Sequence, residues 1–371
     1  MDIQARSSYI RRKDMDSVLN CMVSDRLSGG DYPDRFVKAA RERFGFDYGL
    51  ALRSPLVAMD LVYDCLGLEA GDGVALSALS EAWLVRGLLR RGLKPVWLDV
   101  DPATACISAD SVARIAEGSA KALYLDSPWG IMPDPSILAE IGIPVIEDAT
   151  TSIGATAVPS ATTDSGTLPS ASVSDSMGVG AGVGAVAGEL KAGSLGAFCL
   201  IGLEHASSFT GGGGALLFAQ ARRDAQVLRN VAERLTAVEL MPDMNAALAL
   251  SQLKDLEKFL EKRRGLSEMY GQSLARAHKK ALAQSVEGTS ACFGCVVVLE
   301  SGVKDVRAYA KKKDVDTVMA FDGSCVAAGL VPDGLAPQAV SLANRALAFP
   351  LHPRIGKTAA QKIAKVLATL P

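Results

Sequence analysis

The feature that most constrains the fold of this chain is a regular alternation of short apolar runs and helical segments through its first half. Strand-like runs at 95–100, 122–126 and 143–148 are separated by stretches with helical periodicity, among them 55–66 and 81–91. Strands that alternate with helices are typical of a mainly parallel sheet covered on both faces. The pattern therefore predicts an α/β fold with a doubly wound sheet.

Two polar side chains directly follow apolar runs at the end where such a sheet carries its ligand site. In parallel sheets, ligands bind in the crevice outside the carboxyl ends of the strands. Asp148 ends the run 143–148, and His205 comes shortly after the run 196–202. Glu147 precedes Asp148, but neighbouring strand residues point to opposite faces, so the two are not expected to form a paired-carboxylate site. The sequence predicts a site that includes Asp148 and His205.

The second half of the chain predicts a smaller α+β unit. Helices are expected at 219–235, at 243–275, around 304–312 and from 357, with a strand at 293–299. We therefore divide the chain into a large domain, 1–235, which includes the N-terminal segment, and a smaller C-terminal domain, 236–371.

Residues 156–190 interrupt the large domain. This stretch is rich in Ser, Thr, Gly, Ala and Val, and its only charged residues are Asp164, Asp175 and Glu189. Without periodicity or large side chains it cannot bury enough surface to fix itself. We expect a flexible low-complexity insertion.

Composition and cysteine usage exclude several classes of protein. The 371 residues carry a net charge of −2 with dispersed basic residues, so no nucleic-acid partner is expected. No apolar stretch is long enough to span a bilayer, and the N-terminus lacks the apolar core of a signal peptide. Seven scattered cysteines favour a reducing, cytoplasmic location. Cys292 and Cys295 make only half of a zinc site, so no metal is expected.

A series of segments, in order along the chain, carries a resemblance to one family. They are 44–52 (FGFDYGLAL), 92–102 (GLKPVWLDVDP), 147–149 (EDA), 191–196 (KAGSLG), 211–218 (GGGGALLF), 246–253 (AALALSQL) and 349–353 (FPLHP). With these segments the chain resembles the DegT/StrS family of sugar aminotransferases, which use pyridoxal phosphate (PLP). The resemblance implies the fold type I architecture of PLP-dependent aminotransferases. In it, a large domain with a mainly parallel sheet is joined to a smaller C-terminal α+β domain. Family members commonly form dimers with shared sites.

The resemblance also assigns cofactor roles to positions of this chain. Asp148 matches the aspartate that holds the ring nitrogen of the cofactor, and Thr151 matches a polar residue three positions later. Glu81 stands where the family has an aromatic side chain stacked on the ring. Trp83 is two positions further along the predicted helix, on a different face, and is therefore not expected to replace it.

The family's phosphate-binding tripeptide, Ser-Gly-Thr, corresponds to Ser54, Pro55 and Leu56. Proline has no N–H to donate and leucine has no hydroxyl. A hydrogen bond to a charged group contributes roughly 1.5–3 kcal/mol, so the loss of three phosphate contacts weakens binding by several powers of ten.

The family's lysine, the covalent anchor of the cofactor, corresponds to His205 when counted from the Gly-rich run and to Ser207 when counted from Gly196. No lysine occurs between Lys191 and Lys254. Some relatives that remove a sugar hydroxyl, the 3-dehydratases, carry histidine in place of the lysine, where it acts as a base.

Three functional hypotheses follow. The first is a degenerate, non-catalytic homologue that binds a nucleotide sugar, a paralogue or another partner. The second is a histidine-type enzyme that uses PLP or pyridoxamine phosphate on a nucleotide-linked keto sugar. The third, which the lysine-free span disfavours, is a working aminotransferase with a lysine from elsewhere. By resemblance, the pathway would be cell-surface polysaccharide biosynthesis and the assembly a homodimer or a heterodimer with a paralogue.

Overall fold

The computed structural model describes residues 3–25, 27–113, 115, 118, 120–139, 141–160, 188–205 and 207–371. The helices are α1 (Arg12–Val23), α2 (Tyr32–Phe44), α3 (Pro55–Cys65), α4 (Ala82–Arg90), α5 (Ala109–Ala113), α6 (Arg222–Ala232), α7 (Asp243–Leu253), α8 (Leu256–Arg276), α9 (Val303–Lys312), α10 (Pro337–Arg345) and α11 (Lys357–Leu367). The strands are β1 (Tyr48–Leu52), β2 (Gly73–Ser77), β3 (Lys94–Leu98), β4 (Ala122–Asp126), β5 (Val145–Asp148), β6 (Thr156–Ala157), β7 (Leu190–Lys191), β8 (Phe198–Gly202), β9 (Ala215–Ala219), β10 (Lys280–Ala281), β11 (Cys295–Val298), β12 (Val318–Met319) and β13 (Ala346–Phe349).

A seven-stranded sheet forms the centre of the larger part of the molecule. Its strand order is β1-β9-β8-β5-β4-β2-β3. The strands from β8 to β3 are parallel, whereas β9 runs antiparallel to both of its neighbours. Alternate side chains of each strand enter two different core clusters; on β4, for example, Leu123 and Leu125 join one, and Ala122 and Tyr124 the other. The sheet is therefore covered on both faces, as the sequence pattern predicts.

Local sequence signals fix the residue at which helix α3 begins. Ser54 caps it, because the Ser54 hydroxyl accepts a hydrogen bond from the backbone N–H of Val57 at 3.3 Å. Pro55 occupies the first helical position, where no intrahelical N–H partner is needed. The helix packs on β8 and β9 and against α4 and α6. Its N-terminus consequently faces the carboxyl end of β8.

A second, antiparallel sheet with the order β10-β11-β13-β12 forms the centre of the smaller part. Its core includes Leu266 and Tyr270 of α8 and Ile363 of α11. The predicted architecture, a mainly parallel sheet with a smaller α+β part, is confirmed. The boundary at residue 236 stays a prediction; α7, which follows it, packs against α1 and α2 and joins the core of the large sheet.

The predicted single helix over 243–275 is wrong, because the chain turns at Asp255 between α7 and α8. Asp255 leaves the helical region with φ −111° and ψ 10°. Its carboxylate forms ion pairs with Arg11, Lys13 and Lys258. These pairs hold the turn against the N-terminal segment, a long-range contact that periodicity does not reveal.

Other predicted boundaries also change. The helix expected at 219–235 starts only at Arg222, since Ala219 still belongs to β9. Most of the expected insertion, 156–190, lies outside the described residues. At its two ends, β6 pairs with β7 in an antiparallel ladder, so these ends belong to the ordered fold. Among the described residues, no helix is both long and apolar enough to cross a membrane.

Candidate functional site

A cavity of about 260 Å³ lies at the carboxyl ends of β4, β5 and β8. Asp126, Asp148 and Gly202, the last residues of these strands, line it. Residues 320–324 of the smaller part and Arg6 of the N-terminal segment form further walls. The cavity thus occupies the edge of the sheet at which parallel topology brings a ligand site.

Both carboxylate oxygens of Asp148 already have hydrogen-bond partners. The Tyr124 hydroxyl donates to Oδ2 at 2.5 Å, and the backbone N–H of Thr150 donates to Oδ1 at 2.9 Å. Burial raises the pKa of Asp148, and the hydrogen bonds from Thr150 and Tyr124 oppose that rise. Asp148 therefore lies in the predicted crevice, with a protein hydroxyl bound to it from the cavity wall.

Asp126 brings a second carboxylate to the same face. It is the register partner of Asp148 on the adjacent parallel strand, so the two side chains lie next to each other. The Ser80 hydroxyl donates to its Oδ2 at 2.9 Å. Burial raises the pKa of Asp126 to about 7; the Ser80 hydrogen bond lowers it, while repulsion from Asp148 and Glu81 adds to the rise. Near neutral pH this carboxyl group consequently changes its charge.

Glu81 and Trp83 both line the cavity, so the prediction that Trp83 would lie on a different face is wrong. Glu81 precedes the first turn of α4 and has extended backbone angles, φ −66° and ψ 139°. Helical spacing therefore does not apply between the two residues, and the Trp83 indole N–H donates to the Glu81 carboxylate at 2.9 Å. Desolvation raises the pKa of Glu81, with the charge of Asp148 adding to the effect.

Glu147 points away from the cavity, to the opposite face of β5. Its two carboxylate oxygens accept the backbone N–H groups of Gly193 at 2.7 Å and Leu195 at 2.6 Å. Burial raises the pKa of Glu147 to about 7 in spite of these two donors. This carboxylate fixes the approach to β8 and does not line the cavity, although the charge of Asp148 adds to the rise in its pKa.

The N-terminus of α3 offers little to an anion. The Ser54 hydroxyl is used by the helix cap, and Pro55, which lines the cavity, has no N–H. Leu56 points to α4, where a Cβ on Gly87 would lie 2.9 Å from the Leu56 Cδ2. Ser54 and Leu56 are not among the residues that line the cavity.

The two positions that could correspond to the family's lysine, 205 and 207, differ in whether their side chains line the cavity. His205 is exposed; its Nδ1 is 3.1 Å from the Ser8 hydroxyl, and it is not among the lining residues. Ser207 does line the cavity, as does Glu204. Thr151 also lines it, but its hydroxyl donates to the Ser127 carbonyl at 2.6 Å. The structure therefore brings Asp148, Glu81 and Thr151 together, without His205.

This set of residues does not fit PLP or pyridoxamine phosphate. Every lysine of the chain lies within the described residues, and none lines the cavity. A phosphate group carries about −1.5 to −2 charges at neutral pH, whereas five carboxylates line the cavity. The one guanidinium among the described lining residues, that of Arg6, is paired with Asp322 at 3.0 Å.

Sequence reasoning missed several residues of the site. Asp126 ends a strand-like run as Asp148 does, so the same rule could have identified it. The aromatic residues Trp129 and Phe293 come from segments far apart in sequence, with ring centroids 6.0 Å apart. Arg6 lies near no motif at all, and only the folded chain brings it to the Trp129 ring, 5.8 Å from the centroid.

Comparison with known proteins gives a consistent relationship. The chain is 25% identical over 283 residues to a dTDP-4-dehydro-2,3,6-trideoxy-D-glucose 4-aminotransferase of Saccharopolyspora spinosa, an alignment covering 74% of this chain and 71% of that protein. With other curated relatives the match is shorter, and the chain spans 32% and 30% of the length of two inosose aminotransferases.

Among solved structures, the fold is similar to that of the aminotransferase TlmJ from Streptoalloteichus hindustanus, with a TM-score of 0.81, 20% identity and coverage of 99% of this chain and 98% of that chain. It is also similar to a GDP-4-keto-6-deoxymannose-3-dehydratase with bound GDP-perosamine, with a TM-score of 0.77, 16% identity and coverage of 98% and 99%. The sequence profile of one family matches residues 8–173 and 209–368. The chain belongs to the DegT/DnrJ/EryC1/StrS aminotransferase family.

Proposed function

We propose that this chain is a non-transaminating member of its family whose cavity serves as a binding site and does not hold PLP. The observation that carries the proposal is the composition of the cavity wall. Five carboxylates and a single, already paired guanidinium line it, and no lysine of the chain reaches it. An anionic cofactor would meet repulsion there, with neither a covalent anchor nor a phosphate cup to offset it.

The biological setting is part of this proposal. The S. spinosa relative is named for a nucleotide-linked sugar, and the dehydratase structure contains GDP-perosamine. We place the chain in cytoplasmic sugar-nucleotide metabolism leading to cell-surface polysaccharide. A homodimer, or a heterodimer with a catalytically active paralogue, would allow a non-catalytic chain to support the activity of a partner.

The likeness to a 3-dehydratase favours a second candidate, a histidine-type enzyme that acts on a nucleotide-linked keto sugar with pyridoxamine phosphate. His205 follows β8 and is adjacent to Glu204 of the cavity wall. Its exposed position beside Ser8 counts against a role as base. If His205 is the base, His205→Asn should abolish consumption of the keto sugar in the presence of pyridoxamine phosphate and leave the melting temperature unchanged.

The deciding experiment is a visible-absorbance titration of the purified protein with PLP and with pyridoxamine phosphate, accompanied by thermal melts. We expect no saturable spectral change and no stabilisation with either compound. Saturable binding that raises the melting temperature would overturn the proposal and favour the histidine-type enzyme.

A designed variant supplies the positive control. Pro55→Gly and Ser207→Lys together would return an N–H and an amine to positions that line the cavity. The matched variant carries His205→Lys in place of Ser207→Lys. Since Ser207 lines the cavity and His205 does not, we expect PLP absorbance to develop in the first and not in the second.

A further inference from the structure

The charges that line the cavity are strongly unbalanced. The carboxylates are Glu81, Asp126, Asp148, Glu204 and Asp322. Asp322 is paired with Arg6, whereas the other four form no ion pair within the described part of the chain. Carboxylates held close together without a counter-ion raise one another's electrostatic energy, and a bound cation would relieve that repulsion.

Aromatic rings stand beside these carboxylates. Trp83, Trp129 and Phe293 line the cavity, together with Tyr124 and Phe321. The Arg6 guanidinium already lies 5.8 Å from the Trp129 ring centroid, at the outer limit of a cation–π contact. Aromatic faces combined with carboxylates are suited to organic cations, because the rings attract positive charge and cover the apolar part of the ligand.

The backbone of Trp129 indicates that its ring is held in place. Trp129 has φ 57° and ψ 22°, a left-handed conformation that is rare and costly for a bulky side chain. Its ring packs so closely on Gly294 that a Cβ at that position would lie 2.2 Å from the Trp129 Cε3. Strain of this kind persists where the surrounding structure imposes it, and it is concentrated at functional sites.

Ser127 provides an independent sign that the cavity has a polar ligand. It lines the cavity and is only 2% exposed, yet its hydroxyl has no hydrogen-bond partner among the described residues. A buried hydroxyl without a partner is destabilising, and such groups in native proteins call for an explanation. An N–H of a ligand bound beside Asp126 would satisfy it.

A metal ion does not explain these features. Within the described ranges, no three His, Cys, Asp or Glu side chains converge closely enough to hold one. The carboxylates are instead spread around a volume of about 260 Å³, which suits a ligand of several heavy atoms. The rings would also be superfluous around a bare, strongly hydrated ion.

We propose that the cavity binds a small organic cation, a protonated primary amine, with its ammonium group among Asp126, Asp148 and Ser127 and its carbon skeleton against the rings of Trp83 and Trp129. This inference rests on the proposed function, because PLP bound at the same strand ends would fill the space and supply the opposite charge.

Calorimetric titration at pH 8 with cyclohexylamine and with cyclohexanol tests the proposal. The two probes share a ring of the same size, and only the amine is charged, since alkylammonium groups lose their proton near pH 10. A hydrogen bond to a charged group corresponds to roughly 10- to 100-fold in affinity, so we expect saturable amine binding at least tenfold tighter than that of the alcohol.

Single substitutions test whether the amine binds in this cavity. Asp126→Asn should weaken amine binding by about tenfold or more, and Glu81→Gln provides a second test at the cavity mouth if the first variant folds poorly. Asp333→Asn is the matched control, because Asp333 is exposed and does not line the cavity. It should bind the amine as the unmodified chain does.

The outcomes separate this inference from the proposed function. Amine binding that Asp126→Asn weakens, with no binding of PLP, supports both. Equal affinity for amine and alcohol, no binding of either, or an amine affinity that neither cavity variant changes overturns the inference alone. Saturable PLP binding to the unmodified chain in the same assay overturns the proposed function, and with it the inference.

Discussion

The two faces at the end of β5 supply a buried carboxylate with different hydrogen-bond donors. On one face, Glu147 is fully buried, and each of its oxygens accepts a backbone N–H, from Gly193 and from Leu195. On the other, Asp148 lies beside Asp126 and near Glu81, and repulsion adds to desolvation for Asp126 and Glu81. Both faces bury acidic groups, but only the first supplies each oxygen with a backbone donor.

This difference distinguishes a structural carboxylate from one that awaits a ligand. Glu147 connects β5 to the segment before β8, and its hydrogen bonds stabilise that connection. Asp126 has only the Ser80 hydroxyl as a side-chain donor and is opposed by neighbouring charge. Burial raises the pKa of both Asp126 and Glu147 to about 7, so the two faces differ in their hydrogen bonding and not in the direction of the pKa shift. We therefore expect a neutral substitution at pH 8 to stabilise the protein less at Glu147, where it also deprives a backbone N–H of its acceptor.

Asp126→Asn should have the largest effect and should stabilise the protein at pH 8. Burial and repulsion raise the pKa of Asp126 from 3.8 to about 7, so the folded state prefers the protonated form. As pH rises from about 4 to about 7, the unmodified chain loses the stability linked to that proton, on the order of 4 kcal/mol at 1.36 kcal/mol per pKa unit. The variant does not lose it.

Urea unfolding at pH 4 and pH 8 measures this effect. The titratable groups coupled to Asp126 are Asp148, Glu81 and Tyr124, together with the thiols of Cys106 and Cys325. All remain in the variant, as does Glu147, so the difference between the two proteins at each pH reports chiefly on Asp126. Equal stability of the two proteins at pH 8 would remove the contrast between the two faces.

Glu147→Gln should stabilise the protein at pH 8 by clearly less than Asp126→Asn does, because the gain from removing a buried charge whose pKa is raised from 4.5 to about 7 is offset by about 2 kcal/mol for a lost acceptor. The glutamine has one acceptor oxygen, and its NH₂ group would face the second backbone N–H, leaving a buried donor without a partner. Urea unfolding gives the free energy, with Glu189→Gln as a control on the exposed surface. A Glu147→Gln variant stabilised as much as Asp126→Asn would mean that the two backbone donors make no difference between the faces.

The arrangement of the large sheet could be predicted because its causes are local. Apolar runs of strand length alternate with helical periodicity, and the rule for parallel sheets then brings Asp148 to the crevice. The turn at Asp255 could not be predicted in this way. It depends on ion pairs with Arg11 and Lys13, which are more than 240 positions away, and no proline or glycine marks it.

The composition of the site was less predictable, for two physical reasons. Glu81 has extended backbone angles and directly precedes α4. Helical periodicity therefore wrongly predicted that its side chain and that of Trp83 would lie on different faces. His205 and Ser207 are two positions apart in a short loop, where no periodicity fixes which side chain enters the cavity. The pairing of Tyr124 with Asp148 depends on the register of β4 and β5, which only the folded sheet defines.

Ser127→Ala should have the smallest effect on stability and therefore gives the sharpest test of the cavity. Removing a buried hydroxyl that has no partner in the described structure costs no hydrogen bond, so the free energy of unfolding should change by less than about 1 kcal/mol, in the stabilising direction. Cyclohexylamine affinity should nevertheless fall severalfold, because the ammonium loses an acceptor.

Ser152→Ala is the matched control, since the Ser152 hydroxyl is also buried and unpartnered in the described structure but does not line the cavity. An amine affinity that both variants leave unchanged would mean that the Ser127 hydroxyl has no part in binding.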